Sequence, residues 1–182
     1  ESDFHRTRLS VQEIVEQWSA LIEQLTALRP TMKWVFTVSP IRHWKDGAHE
    51  NQVSKSTLHL AIDELQKRFE GDVRYFPAYE IVLDELRDYR FYNEDMLHPS
   101  PVAVEYVWQR FAETFFTLRT RAINREWEDI RKSLDHRPVH PGSESHRTFL
   151  EQTALRLKEF ERKYPFISCE EETRALYANI NG

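Results

Sequence analysis

The alternation of helical and strand-like patterns along this chain predicts the α/β class. Three observations carry that reading. Two short runs rich in β-branched and aromatic residues, Lys33–Val38 and Val73–Phe76, have the character of buried strands. A helical pattern separates them, which calls for a parallel sheet with a right-handed crossover. Beyond residue 101 the apolar residues recur only at helical spacing, so long C-terminal helices follow the sheet. Two strands cannot cover both faces of such a sheet or protect its edges, so an incomplete parallel sheet is expected, completed by strands upstream or by a partner chain.

Each element follows from its residues. Ser10-Val11-Gln12-Glu13 reads as a capping box, with Ser10 as N-cap and Glu13 at the third helical position. Val11, Ile14, Val15, Trp18, Leu21, Ile22, Leu25 and Leu28 then recur at helical spacing until Pro30 stops the helix. The first strand ends at Ser39-Pro40, and residues Arg42 to Gln52 are so polar that they read as a long loop. Ser54 or Ser56 would cap the second helix, which carries Leu58, Ile62, Leu65 and Phe69 on one face. Gly71-Asp72 turns the chain into the second strand, and Glu80–Leu86 forms a short helix. One unbroken helical pattern then runs from Val102 to about Leu134. His136–Gly142 reads as a hinge, Phe149 to Phe160 as a last helix closed by Lys163 and Pro165, and the residues after Ser168 as a weakly specified tail.

A hydrophobic share of 40% with 30% charged residues gives a globular chain with a real core. The net charge of −5 argues against a nucleic-acid binder that relies on general electrostatic attraction. No apolar run reaches the length of a membrane span, and no signal peptide is visible. Cys169 is the only cysteine, so no intrachain disulfide can form, which fits a reducing, cytoplasmic setting. The chain begins Glu1-Ser2-Asp3-Phe4 without an initiator Met and reads as a segment of something longer.

The chemistry concentrates in Asp95-Met96-Leu97-His98-Pro99. A carboxylate three residues before a histidine can reach the imidazole within one turn of chain. Such a partner is what a general-base histidine needs to fix its tautomer and stabilise its charged form. Pro99 and Pro101 hold the loop extended and let the next helix begin. The same spacing also serves as a helix N-terminal device, with Asp as cap and His on the surface. A second group is His43, Asp46, His49, Glu50 and Asn51 in the polar loop, where Arg42 or His43 could bind an anion and Asn51 could donate to an oxyanion. The bland alternative is a surface loop leading into a helix.

Other chemistries find less support. His43, His49 and Glu50, or His136, His140 and His146, lack the spacing of zinc sites, so no metal or other cofactor is expected. Four glycines and no Gly-rich phosphate loop argue against nucleotide cradles. There is no Gly-x-Ser-x-Gly elbow. Ser39 is the best-placed serine for attack, yet Pro40 gives it the character of a turn residue.

Several spaced stretches, taken in order, carry a resemblance. Val38-Ser39-Pro40-Ile41-Arg42-His43, Asp46-Gly47, Glu50-Asn51-Gln52 with Ser54-Lys55, Tyr75-Phe76-Pro77-Ala78-Tyr79-Glu80-Ile81, Asp88-Tyr89-Arg90-Phe91-Tyr92 and Asp95-Met96-Leu97-His98-Pro99 resemble the GSCFA family, grouped with the SGNH (GDSL-like) hydrolases. The resemblance covers about Leu9 to Phe116. It implies a flavodoxin-like α/β/α fold of the SGNH hydrolase type and an esterase, deacylase or acyltransferase acting on acyl esters of small molecules or carbohydrates. By that resemblance His98 would be the base and Asp95 its orienter; Arg42 and His43 match a family motif, and the substrate or oxyanion role of Arg42, His43 and Asn51 rests on their residue types alone. The family's Gly-Ser-Cys-Phe-Ala motif, which would hold the nucleophilic serine, does not occur in these residues. The expectation is therefore residues 1–116 as the C-terminal part of such a domain, inactive by itself, and 117–182 as a helical extension. A non-catalytic α/β module whose helices serve assembly, as a homo-oligomer or with a partner, is the alternative.

Overall fold

The structure is a computed structural model that describes residues 7–140 and 143–181, with backbone alone for 179–181. The chain divides into two compact units, Glu1–Phe111 and Ala112–Gly182.

The first unit opens with helix α1, Val11–Leu28. Its start is the capping box expected from the sequence. The Ser10 hydroxyl accepts from the Glu13 amide, and the Glu13 carboxylate accepts from the Ser10 amide at 2.8 Å. The Ser10 amide and hydroxyl both donate to that carboxylate and hold the Glu13 carboxyl below its usual pKa. Strand β1, Trp34–Phe36, follows, then a 3₁₀ turn at Trp44–Asp46 and helix α2, Gly47–Arg68. Gly71, at φ +81°, makes the turn into strand β2, Val73–Tyr75. The strands pair in parallel, Trp34 with Val73 and Phe36 with Tyr75. A helical turn α3, Ala78–Glu80, widens into a π turn over Ile81–Glu85, and helix α4 spans Pro101–Phe115. The fold is helix-rich with a small parallel sheet, an arrangement compatible with α/β.

The core of this unit lies where α1 and α2 pack on the sheet. Val15, Ile22, Ala61, Leu65 and Val73 are buried together, with Trp34, Phe36 and Phe69 partly buried against them. Trp18 meets Phe36 edge-on at 4.8 Å, so aromatic packing seals α1 to β1.

Two expectations about this unit and the helix that follows it need correction. Residues 47–52 are not loop, because α2 begins at Gly47 and places Ser54 and Ser56 inside the helix. The residues its first turns bury are Asn51 and Lys55, so no apolar periodicity marks the start. The pattern from Val102 to Leu134 is also two helices. Thr117 leaves the helical conformation and caps α5, Leu118–Leu134, by accepting from the Thr120 amide. Threonine is a good N-cap, and the apolar spacing simply continues across the break.

The second unit contains α5, α6 (Glu144–Lys163) and α7 (Glu170–Asn181). The tail after Ser168 thus forms a helix. Ile130, Leu150, Ala154, Leu157, Phe160, Cys169 and Leu176 make the core. Glu126 on α5 accepts from Lys163 at 2.7 Å and from the Tyr164 hydroxyl at 2.9 Å on the α6 end. Of the segment His136–Gly142, expected to be a hinge, Pro141 and Gly142 lie outside the described residues. Among the described residues no helix is long and apolar enough to cross a membrane.

Candidate active site

The Asp95–His98 loop is closed by its own backbone. Tyr92 and Pro99 form an antiparallel bridge, with the Asn93 amide donating to the His98 carbonyl and the Ser100 amide to the Phe91 carbonyl, both at 2.8 Å. Within that ring Met96 takes the left-handed conformation, φ +58°, which turns the chain back on itself. Asp95 is thereby placed to accept three bonds. Its Oδ1 accepts from the Leu97 and His98 amides, each at 2.9 Å, and its Oδ2 lies 2.6 Å from His98 Nδ1. The two amides and then the imidazole stabilise the ionised form, so the Asp95 pKa drops to about 2. The His98 side chain remains 54% exposed, and Nε2 has no hydrogen-bond partner among the described residues. Ser100 then accepts from the Val104 amide, and Pro101 supplies the first residue of α4.

The exit of β1 is built differently. Val38 is buried, and the chain leaves the sheet through Ser39-Pro40. Lys55 reaches back from α2 and donates to the Ser39 carbonyl at 2.6 Å. One turn earlier, the Asn51 side-chain carbonyl accepts from the His43 amide at 2.9 Å. Asn51 therefore holds the loop through its oxygen, and its amino group has no partner among the described residues. Arg42 is exposed, its guanidinium 5.9 Å over the Trp44 ring. His43 Nδ1 lies 3.8 Å from Asp46. Burial lowers the Lys55 pKa.

The same helix also grips the exit of β2. Tyr79 donates to Gln52 at 3.2 Å, and the His59 ring sits edge-on to Tyr79 at 5.0 Å and to Tyr75 at 5.7 Å. Tyr75 donates to Glu80 at 2.7 Å, and Glu80 faces His59 at 3.8 Å. Burial, then Glu80, pushes the Tyr75 pKa up. Parallel strands place both exits at one end of the sheet, where open α/β sheets bind ligands.

The structure thus brings Asp95 onto His98, and Asn51 onto the Arg42–His43 segment. No hydrogen bond or ion pair among the described residues joins these two groups. His49 and Glu50 lie on the first turns of α2, where Glu50 pairs with Arg8 at 2.5 Å beside a cleft of about 500 Å³ lined by Ile14, Asp46, Ser54 and Thr57. The Ser39 hydroxyl accepts from the Ile41 amide at 3.3 Å and has no hydrogen bond to a histidine among the described residues. Among the described residues no three histidine, cysteine or carboxylate groups converge as metal ligands. Lys55, His59, Tyr75 and Glu80 were not singled out by their chemistry, although Lys55, Tyr75 and Glu80 all fall within the stretches that carry the resemblance.

Together these features define a helix-rich protein with a small parallel sheet, polar strand exits and an oriented Asp–His pair. The sequence model of the GSCFA family matches residues 1–111, and that of the GSCFA domain protein, C-terminal domain, matches residues 127–182. The chain belongs to the GSCFA family. No curated protein and no solved structure matches it significantly.

Proposed function

We propose that this chain carries the base and the orienting carboxylate of an SGNH-type serine hydrolase or acyltransferase with a flavodoxin-like domain. The observation that carries the reading is the 2.6 Å contact between His98 Nδ1 and an Asp95 carboxylate already fixed by two amides. Asp95 accepts a hydrogen bond from Nδ1–H, which keeps that proton on Nδ1 and leaves the lone pair on Nε2. Nε2 takes the proton of a serine hydroxyl as its oxygen attacks the ester carbonyl, and Asp95 stabilises the imidazolium that forms. The imidazolium then protonates the departing alkoxide. Water or an acceptor hydroxyl releases the acyl group by the same route in reverse.

In this reading the serine comes from outside these residues, and residues 1–116 act as part of the catalytic domain with 117–182 as its helical extension. Arg42, His43 and the free Asn51 amino group face the substrate or the oxyanion. Acyl esters of small molecules or carbohydrates in the cytoplasm are the substrates proposed, and the segment by itself is proposed to be inactive.

The test is His98→Ala in the complete polypeptide, assayed on short acyl esters. A loss of about 10⁴-fold or more in kcat/KM is expected. Equal rates would count against the reading.

A further inference from the structure

A cation buried in a protein is ordinarily matched by a carboxylate, because desolvating a lone charge is costly. Lys55 departs from that rule. The residue is 9% exposed, and its ammonium has a single partner, the neutral Ser39 carbonyl at 2.6 Å. An ammonium carries three donors, so two are left without an acceptor among the described residues. Asn51 is 8% exposed and uses its oxygen for the His43 amide, and its amino group has no acceptor among the described residues. Arg42, three residues beyond Ser39, rests on Trp44 and has no carboxylate partner among the described residues. The nearby Asp46 faces the His43 ring. Unmatched donors therefore gather on the segment Ser39–His43 in a chain whose net charge is −5.

We infer that Lys55, Asn51 and Arg42 form a binding site for a small oxyanion, a carboxylate or phosphate group of a ligand, at the exit of β1. The anion supplies the missing countercharge and the acceptors, and hydrogen bonds between ionised partners are about twice as strong as neutral ones. Partial burial weakens solvent screening of the pair. Burial depresses the Lys55 pKa, and a bound anion opposes that shift. The site does not depend on ester chemistry, so its test reads binding and not turnover.

Sodium acetate and inorganic phosphate are titrated separately into the protein at constant ionic strength, with chloride as the balancing ion, and followed by amide and lysine side-chain NMR. At least one of the two anions is expected to saturate, with shifts centred on Ile41, Arg42, His43 and Lys55. Saturation by acetate alone assigns a carboxylate and by phosphate alone a phosphoryl group, and saturation by both assigns a general oxyanion site. Lys55→Met should weaken binding by about tenfold or more, as expected for losing a charged hydrogen bond, while Lys55→Arg retains most of it. Arg42→Ala, on an exposed side chain, should weaken binding severalfold and serves in place of Lys55→Met if that variant does not fold. Absence of saturable binding by either anion overturns the proposal. So does unchanged affinity in a folded Lys55→Met or in Arg42→Ala.

Discussion

The Asp95–His98 loop is held by bonds that lie wholly between Phe91 and Ser100. The Ser39–His43 segment is held by α2, through side chains 8 and 16 residues away from their partners. The first is a self-contained ring whose geometry depends on local turn chemistry. The second exists only once α2 has packed on the sheet. A functional group of the first kind tolerates changes elsewhere in the protein, whereas one of the second kind is only as ordered as the helix that grips it.

The comparison is broken most severely by Asp95→Asn. The asparagine amide would donate to Nδ1 and impose the wrong tautomer on His98, so kcat/KM on acyl esters should fall about 10⁴-fold in the complete polypeptide. Its pH dependence sharpens the point. The Asp95 pKa is depressed to about 2 in the folded chain, below its value of about 4 in the unfolded chain. The stability contributed by this carboxylate is therefore fully present above about pH 4 and is lost as pH falls toward 2. Thermal melts of the parent chain and Asp95→Asn should keep a constant gap from neutral pH down to about 4 and converge below it. A gap that closes well above pH 4 would show that the amides do not hold the carboxylate.

Asn51→Leu attacks the other kind of loop. It removes the acceptor for the His43 amide, and a partly buried donor left unfilled costs about 1–3 kcal/mol. For a chain of this size that lowers Tm by roughly 2–4 °C per kcal/mol. Hydrogen exchange should speed up at the His43 amide and leave the Leu97 and His98 amides unchanged. Equal acceleration at both places would mean that the two loops are not independently built.

The division between local and distant support also explains what could be read from the sequence. The capping box at Ser10 and Glu13 and the Asp95–His98 contact both join residues three apart, so their spacing alone announces them. Both strands were visible because β-branched and aromatic residues crowd into short runs. The start of α2 was hidden because Asn51 and Lys55 occupy its buried face, and polar residues at a buried face read as loop. The break at Thr117 was hidden because the apolar spacing runs through it. The partner of Lys55 lies 16 residues away, so nothing in its neighbourhood of sequence marks it as the residue that meets the Ser39 carbonyl.

The smallest effect expected comes from Met96, and it tests whether the ring around Asp95 is built before His98 is held. A non-glycine residue at φ +58° sits in the left-handed region, which is least accessible to β-branched side chains. Met96→Ile should therefore cost about 1–2 kcal/mol, read as a drop of a few degrees in Tm and faster exchange at the Leu97 and His98 amides. Met96→Gly behaves differently, because the strain it relieves and the extra chain entropy it adds to the unfolded state are both about 1 kcal/mol and nearly cancel. Its Tm should stay close to that of the parent chain. If Met96→Ile melts with the parent, the left-handed turn is not required, and the contact between Asp95 and His98 must be what closes the loop instead of a consequence of its closure.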